Sequence, residues 1–175
     1  MDNWKKLSEK LIDVGFIKVL KKTFELPDGK SKEFDIKRDG RVVCVLALTV
    51  DNKVLLAKQY RPGPEKVLLE LIGGGVGKDK TPEEAIKREL LEETGYTGNI
   101  EFVGTSYHSA YSTMQKYSYI ATDCHKIQEQ QLDDSEFIEV IEMSLLDFRK
   151  HLRSGELTDV ECGYLCLEYL ESKNK

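Results

Sequence analysis

Residues 70–96 read ELIGGGVGKDKTPEEAIKRELLEETGY, and the organisation of the whole chain follows from this stretch. Thr81 is a residue type that caps helix starts, Pro82 suits the first helical position, and Glu84 stands where a capping box needs an acid. Gly95 supplies a left-handed stop. The stretch therefore predicts a helix over 82–94, entered from the glycine run Gly73-Gly74-Gly75-Val76-Gly77. At about 100° per residue, Ala85, Ile86 and Leu90 form its apolar stripe. Glu89 and Glu93 fall inside that stripe and Glu92 lies at its edge, so three carboxylates are expected on the inward side.

Like charges four residues apart destabilise a helix by about 0.2–0.5 kcal/mol even when exposed. Partly buried, they cost more unless a cation answers them. Hard oxygen ligands converging on one spot suit Mg²⁺, which keeps several waters and shares phosphate oxygens. The plainer reading, a solvated Glu-rich helix, fits the three acids alone; the cap, the glycines and the inward phase together speak against it. Glycines also let a backbone fold tightly beside a helix start and approach phosphates closely.

Working outward, 42–50 is almost wholly apolar and rich in β-branched residues, as expected of a strand buried on both faces. Asp51-Asn52 turns into a partner strand over 54–60. The proline-containing 61–66 should be irregular, and 67–72 a short strand. Beyond the helix, 100–107, 116–123 and 137–143 read as strands, with 125–135 a polar connector. Helices are expected over 145–153, stopping near Gly155, and from Thr158, where Glu161 completes a second capping-box pattern. Toward the N-terminus, Trp4, Leu7 and Leu11 have helical spacing, which predicts a short helix over 3–12. Runs over 16–26 and 33–37 flank the turn Pro27-Asp28-Gly29 and predict a strand pair. The class is therefore α/β in the α+β sense: a mixed sheet between helices, with an N-terminal antiparallel strand pair. Residues 1–40 form the N-terminal part and 41–175 the main domain.

Bulk composition narrows the function. The formal net charge of −5 gives no general attraction to a phosphate backbone, so a nucleic-acid partner is not expected. Hydrophobic residues at 40% and charged residues at 33% exclude a disordered chain. Cys44, Cys124, Cys162 and Cys166 form no C-x-x-C pair and read as buried reduced thiols. Residues 1–10 are charged, without the apolar stretch of a signal peptide or membrane span, which leaves a cytoplasmic protein as the expectation.

The stretch quoted above resembles the Nudix box, G-x5-E-x7-R-E-U-x-E-E-x-G-U, in which U is a bulky apolar residue. Gly74 takes its first place, and Arg88, Glu89, Leu90, Glu92, Glu93, Gly95 and Tyr96 its last seven specified ones. Lys80 stands where the box has its early glutamate, a metal-site auxiliary in the family. The resemblance implies the Nudix-type α/β/α sandwich. It also implies metal ligation by Glu89 and Glu93 and by the Gly73 carbonyl, with Glu92 a further ligand or a base. Arg88 is expected to orient the glutamates, since Glu84 and Glu92 lie one turn away on either side. Together these make Arg88, Glu89, Glu92 and Glu93 the expected catalytic set.

The flanks Gln59-Tyr60-Arg61 and Glu70-Leu71 before the glycines are similar to the QYR…ELPAG pattern of ADP-ribose pyrophosphatases and related nucleotide-sugar hydrolases. That likeness implies substrate contacts at Arg61, Glu70, Gly74 and Tyr111, with Mg²⁺ as cofactor and Mn²⁺ able to substitute. It further implies a homodimer sharing its N-terminal strands. Tyr60 fits a core position as well as a contact. Ala110 replaces a proline common in that subgroup, and Gln115 aligns with a loop glutamate that often serves as base. Glu92, or a carboxylate within 133–136, then has to take that role. Two other readings remain open at this point. One is hydrolysis of another diphosphate, such as a dinucleotide, a coenzyme or an RNA 5′ end; the other is a catalytically weak nucleotide-binding module.

Overall fold

The computed structural model describes residues 4–173, and the chain divides into two compact units. The first unit comprises the chain up to Gly40 together with Tyr107–Gln115. It holds a three-stranded antiparallel sheet of β1 (Lys5–Val14), β2 (Ile17–Glu25) and β3 (Ser31–Lys37), in that order. The expected strand pair corresponds to β2 and β3. The expected helix over 3–12 is instead β1; Asn3, where that helix was to begin, lies outside the described residues. Ten residues are too few for an isolated helix to be stable in water. Pairing with β2 through a two-residue turn at Gly15-Phe16, with Gly15 at φ 62°, gives the backbone a ladder of partners from Lys5 to Val14, interrupted by a bulge between Lys6 and Ser8. Trp4 also gains ring contacts there, with centroids 6.2 Å from Phe24 and 5.6 Å from Phe34.

The second unit comprises Arg41–Ser106 and Lys116–Lys175. Its seven-stranded mixed sheet contains β4 (Arg41–Thr49), β5 (Lys53–Arg61), β6 (Lys66–Glu70), β7 (Ile72–Gly75), β8 (Tyr96–Tyr107), β9 (Gln115–Lys126) and β10 (Glu139–Ser144). The main path runs β10-β5-β4-β9-β8. Alternation along β4 sends Cys44, Leu46 and Leu48 to one face and Val43, Val45 and Ala47 to the other. The second face packs on Ala85, Ile86 and Leu90 of α1 (Pro82–Thr94). The first packs on Phe148 of α2 (Leu145–His151) and on Cys162, Cys166 and Leu167 of α3 (Val160–Lys173). Helices on both faces make this the expected α/β/α sandwich. All four cysteines are free and buried, and among the described residues no helix is long and apolar enough to cross a membrane.

The sheet opens between its two central strands. β4 and β5 pair only at Ala47↔Leu55 and Leu48↔Val54. Beyond that point the far half of β5 pairs with β6, and the near half of β4 pairs with β7. The glycine run is thus mainly a strand rather than the tight loop expected, with Gly73, Gly74 and Gly75 opposite Cys44, Val43 and Val42.

The start of α3 also differs. The helix begins at Val160, and neither partner of the expected capping box caps it. The Thr158 hydroxyl donates to Glu70, while Glu161 pairs with Lys116.

Candidate active site

The opening between β4 and β5 leaves a cavity of about 590 Å³. Its wall is made by the end of β5 (Gln59, Tyr60, Arg61), by Gly73 to Gly75 of β7, by Glu89 and Glu93 of α1, and by Ser135 to Phe137 of the connector before β10. The size is that of a small-molecule site.

Local sequence fixes α1 with precision. Thr81 and Glu84 form a reciprocal capping box, and Gly95, at φ 77°, donates its N–H to the Leu91 carbonyl and ends the helix. With its phase set, Glu89 and Glu93 come to rest 8% and 5% exposed. The glycines make room for them. A Cβ on Gly74 would fall 2.3 Å from Glu89 Oε1, and one on Gly73 would fall 2.2 Å from the Val43 carbonyl oxygen. The carboxylate of Glu89 therefore lies directly against bare backbone.

Burial pushes the Glu93 carboxyl up to about 8, with Glu89 and then Glu136 adding repulsion. The Gly73 N–H and Arg61 act in the opposite sense. Glu89 is raised as well, first by burial, although Arg88 opposes the shift. One oxygen of Glu93, Oε2, is buried with no hydrogen-bond partner. A buried carboxylate with an unanswered oxygen beside a second carboxylate is a strong electrostatic demand for a cation.

On the opposite wall, Arg61 donates from Nε to Glu70 Oε2 at 2.5 Å. Glu70 is fully buried and also accepts from Thr158 Oγ1 at 2.5 Å. Glu70 thus reaches the cavity only through Arg61.

The sequence matches the NUDIX domain over residues 38–159. The chain belongs to the Nudix family. It is 33% identical to an ADP-ribose pyrophosphatase of Bacillus subtilis over 85% of this chain and 82% of that protein. It is 27% identical to the methanol dehydrogenase activator of Bacillus methanolicus, over 94% and 90% of the two chains. A crystal structure of an ADP compounds hydrolase superposes with a TM-score of 0.84 over 99% of this chain and 97% of that one, at 19% identity, which bears on the fold alone. This Nudix protein is a pyrophosphohydrolase, similar in sequence to the ADP-ribose and sugar-nucleotide type.

The Nudix-box residues do not all converge. Glu89 and Glu93 share the cavity, whereas Glu92 lies outside its lining and is held by Arg88 Nη1. Arg88 also grips Glu89 Oε1 through Nη2 at 2.5 Å, while Glu84, its other expected partner, is occupied by the cap. Among the described residues, no three His, Cys, Asp or Glu side chains stand together as a ready metal cage. The donors present nonetheless fit a hard divalent ion. Two buried carboxylates, one with an orphaned oxygen, face a glycine cradle, leaving the remaining positions to water and phosphate oxygens.

Lys80 is exposed and outside the cavity lining, as is His108. Gln115 opens β9 rather than lying in a loop. Tyr111 belongs to the first unit, where its ring stacks 6.3 Å from Phe34. Tyr60 is 58% exposed at the cavity wall rather than in the core. Ser135 and Phe137 are wall residues of the connector that sequence reasoning did not single out. Glu136 stood there only as one of several connector acids. Nothing in their local pattern marks them, because the connector reaches the cavity by tertiary placement alone.

Proposed function

We propose that this Nudix protein hydrolyses the diphosphate bond of a nucleoside diphosphate joined to a sugar, with ADP-ribose or a near relative as substrate and Mg²⁺ as cofactor. The observation that carries this reading is the buried Glu89–Glu93 pair, one oxygen unanswered, set against a glycine strand in a cavity that also holds Arg61. The similarity to a relative named ADP-ribose pyrophosphatase over most of both chains supports the choice of substrate.

Glu89 and Glu93 would hold the ion, with the Gly73 carbonyl beside them. Bound there, Mg²⁺ supplies neutralisation of the diphosphate charge and acidifies the attacking water. Arg61 offers its two terminal amino groups to the diphosphate, since only Nε is committed to Glu70. Gly75, with open space where a side chain would stand, would let phosphate oxygens approach bare backbone. Glu136, partly buried in the cavity wall, would take the proton of the attacking water. Arg88 holds Glu89 and Glu92 in register without facing the substrate.

The test is direct. Purified protein is incubated with ADP-ribose, other nucleotide sugars, dinucleotides and coenzymes, and release of a nucleoside monophosphate is followed with Mg²⁺ or with EDTA. Mg²⁺-dependent release from a nucleotide sugar is expected, and Glu93→Gln should reduce it by several orders of magnitude without unfolding the chain. Release only from a non-sugar diphosphate would move the substrate. No release from any diphosphate would overturn the reading.

A further inference from the structure

A polar chain anchored on the buried Glu70 and Lys116 leads from the cavity wall to the start of the last helix. Arg61 ends β5 opposite Lys66, and Glu70 ends β6 opposite Ala57, so the two side chains meet from opposite ends of the same ladder. Glu70 uses Oε2 for Arg61 Nε and Oε1 for the Thr158 hydroxyl, each at 2.5 Å, and is 0% exposed. Thr158 lies 3.2 Å from Asp159 Oδ2, and Asp159 Oδ1 accepts from the buried Lys116 Nζ at 2.9 Å. Lys116 is held in turn by Glu161 Oε1 at 2.7 Å. The Thr158 side chain is itself open to solvent, so its hydroxyl could have turned to water or capped α3. It is committed instead to an acid that sits beneath a cavity residue.

A guanidinium on a flexible stem gains little from a single contact unless its partner is fixed. Glu70 can rotate about its terminal bonds, and two donors at its two oxygens remove that freedom. We infer that Thr158 is a positioning residue for Arg61, acting through Glu70 to hold the guanidinium where it meets the diphosphate of the substrate. The inference rests on the proposed diphosphate site. Thr158 touches no substrate, and its effect is felt as binding rather than as proton transfer.

The probe is ADP with Mg²⁺, its Kd measured by calorimetry on the full chain. Thr158→Val keeps the shape and excludes water but removes the donor; it should weaken ADP about tenfold. Thr158→Ser should restore the wild-type Kd, and Thr158→Ala serves as a second donor-less variant if the valine form is unstable. In an Arg61→Gln background, removal of the Thr158 hydroxyl should weaken ADP no further, because the effect passes through Arg61. With a turned-over nucleotide sugar, KM should rise by the same factor while kcat falls far less. Wild-type affinity in both donor-less variants, or a loss that adds fully to that of Arg61→Gln, would overturn the inference. Coupling that persists in a wild-type protein releasing no monophosphate would remove the hydrolase reading and leave the positioning role standing.

Discussion

Glu93 shows how one side chain registers the absence or presence of a cation. Its folded carboxyl lies near 8 against an ordinary 4.5, because burial comes first among the causes and Glu89 and Glu136 repel a second charge. The folded state therefore holds this proton more tightly than the unfolded chain does. The stability contributed by the group is full below about pH 4.5 and is lost as the pH rises through about 8. In metal-free protein, Glu93→Gln should melt above wild type at about pH 9, with the gap closing near pH 5. Mg²⁺ should raise the wild-type melting temperature more at the alkaline end, and raise that of the Gln variant much less. A pH-independent difference between the two proteins would place Glu93 outside a buried, charge-repelled site.

At the scale of elements, α1 was the most legible part of the chain and β1 the least. Thr81, Pro82, Glu84 and Gly95 specify both ends of α1 by local chemistry, so the inward phase of Glu89 and Glu93 could be worked out without any tertiary knowledge. Thr81→Ala removes the side-chain half of the box and should cost about 1 kcal/mol, read as a melting shift of about 2–4 °C. An unchanged midpoint would show that packing alone fixes the helix. Trp4, Leu7 and Leu11 fit helical spacing, but β1 forms by pairing with β2, and the ring contacts of Trp4 lie on Phe24 and Phe34, which local spacing cannot report. The same reason hid Glu136 and Thr158: each acquires its role from a strand or helix remote in sequence. The central strand was readable because both its faces are buried, and a run of apolar residues over 42–50 states that directly.

At the scale of the whole molecule, the N-terminal sheet leaves Trp4, Leu7, Leu11, Phe16 and Ile17 between 43% and 102% exposed. So many large apolar groups on one small sheet suggest an interface, and a second copy of the chain is the expected occupant. Light scattering at micromolar concentration should give the mass of two chains, and a monomeric mass would count against that assembly. The strand that carries Gly73 and Gly74 sets a different kind of limit. An added methyl at the first position lands on the neighbouring strand's carbonyl oxygen, and one at the second lands on the Glu89 carboxylate. The floor is therefore closed to redesign, and any attempt to broaden or redirect what this enzyme accepts must work on the rim, at Gln59, Tyr60 and Phe137, where exchange leaves the ladder and the acids untouched.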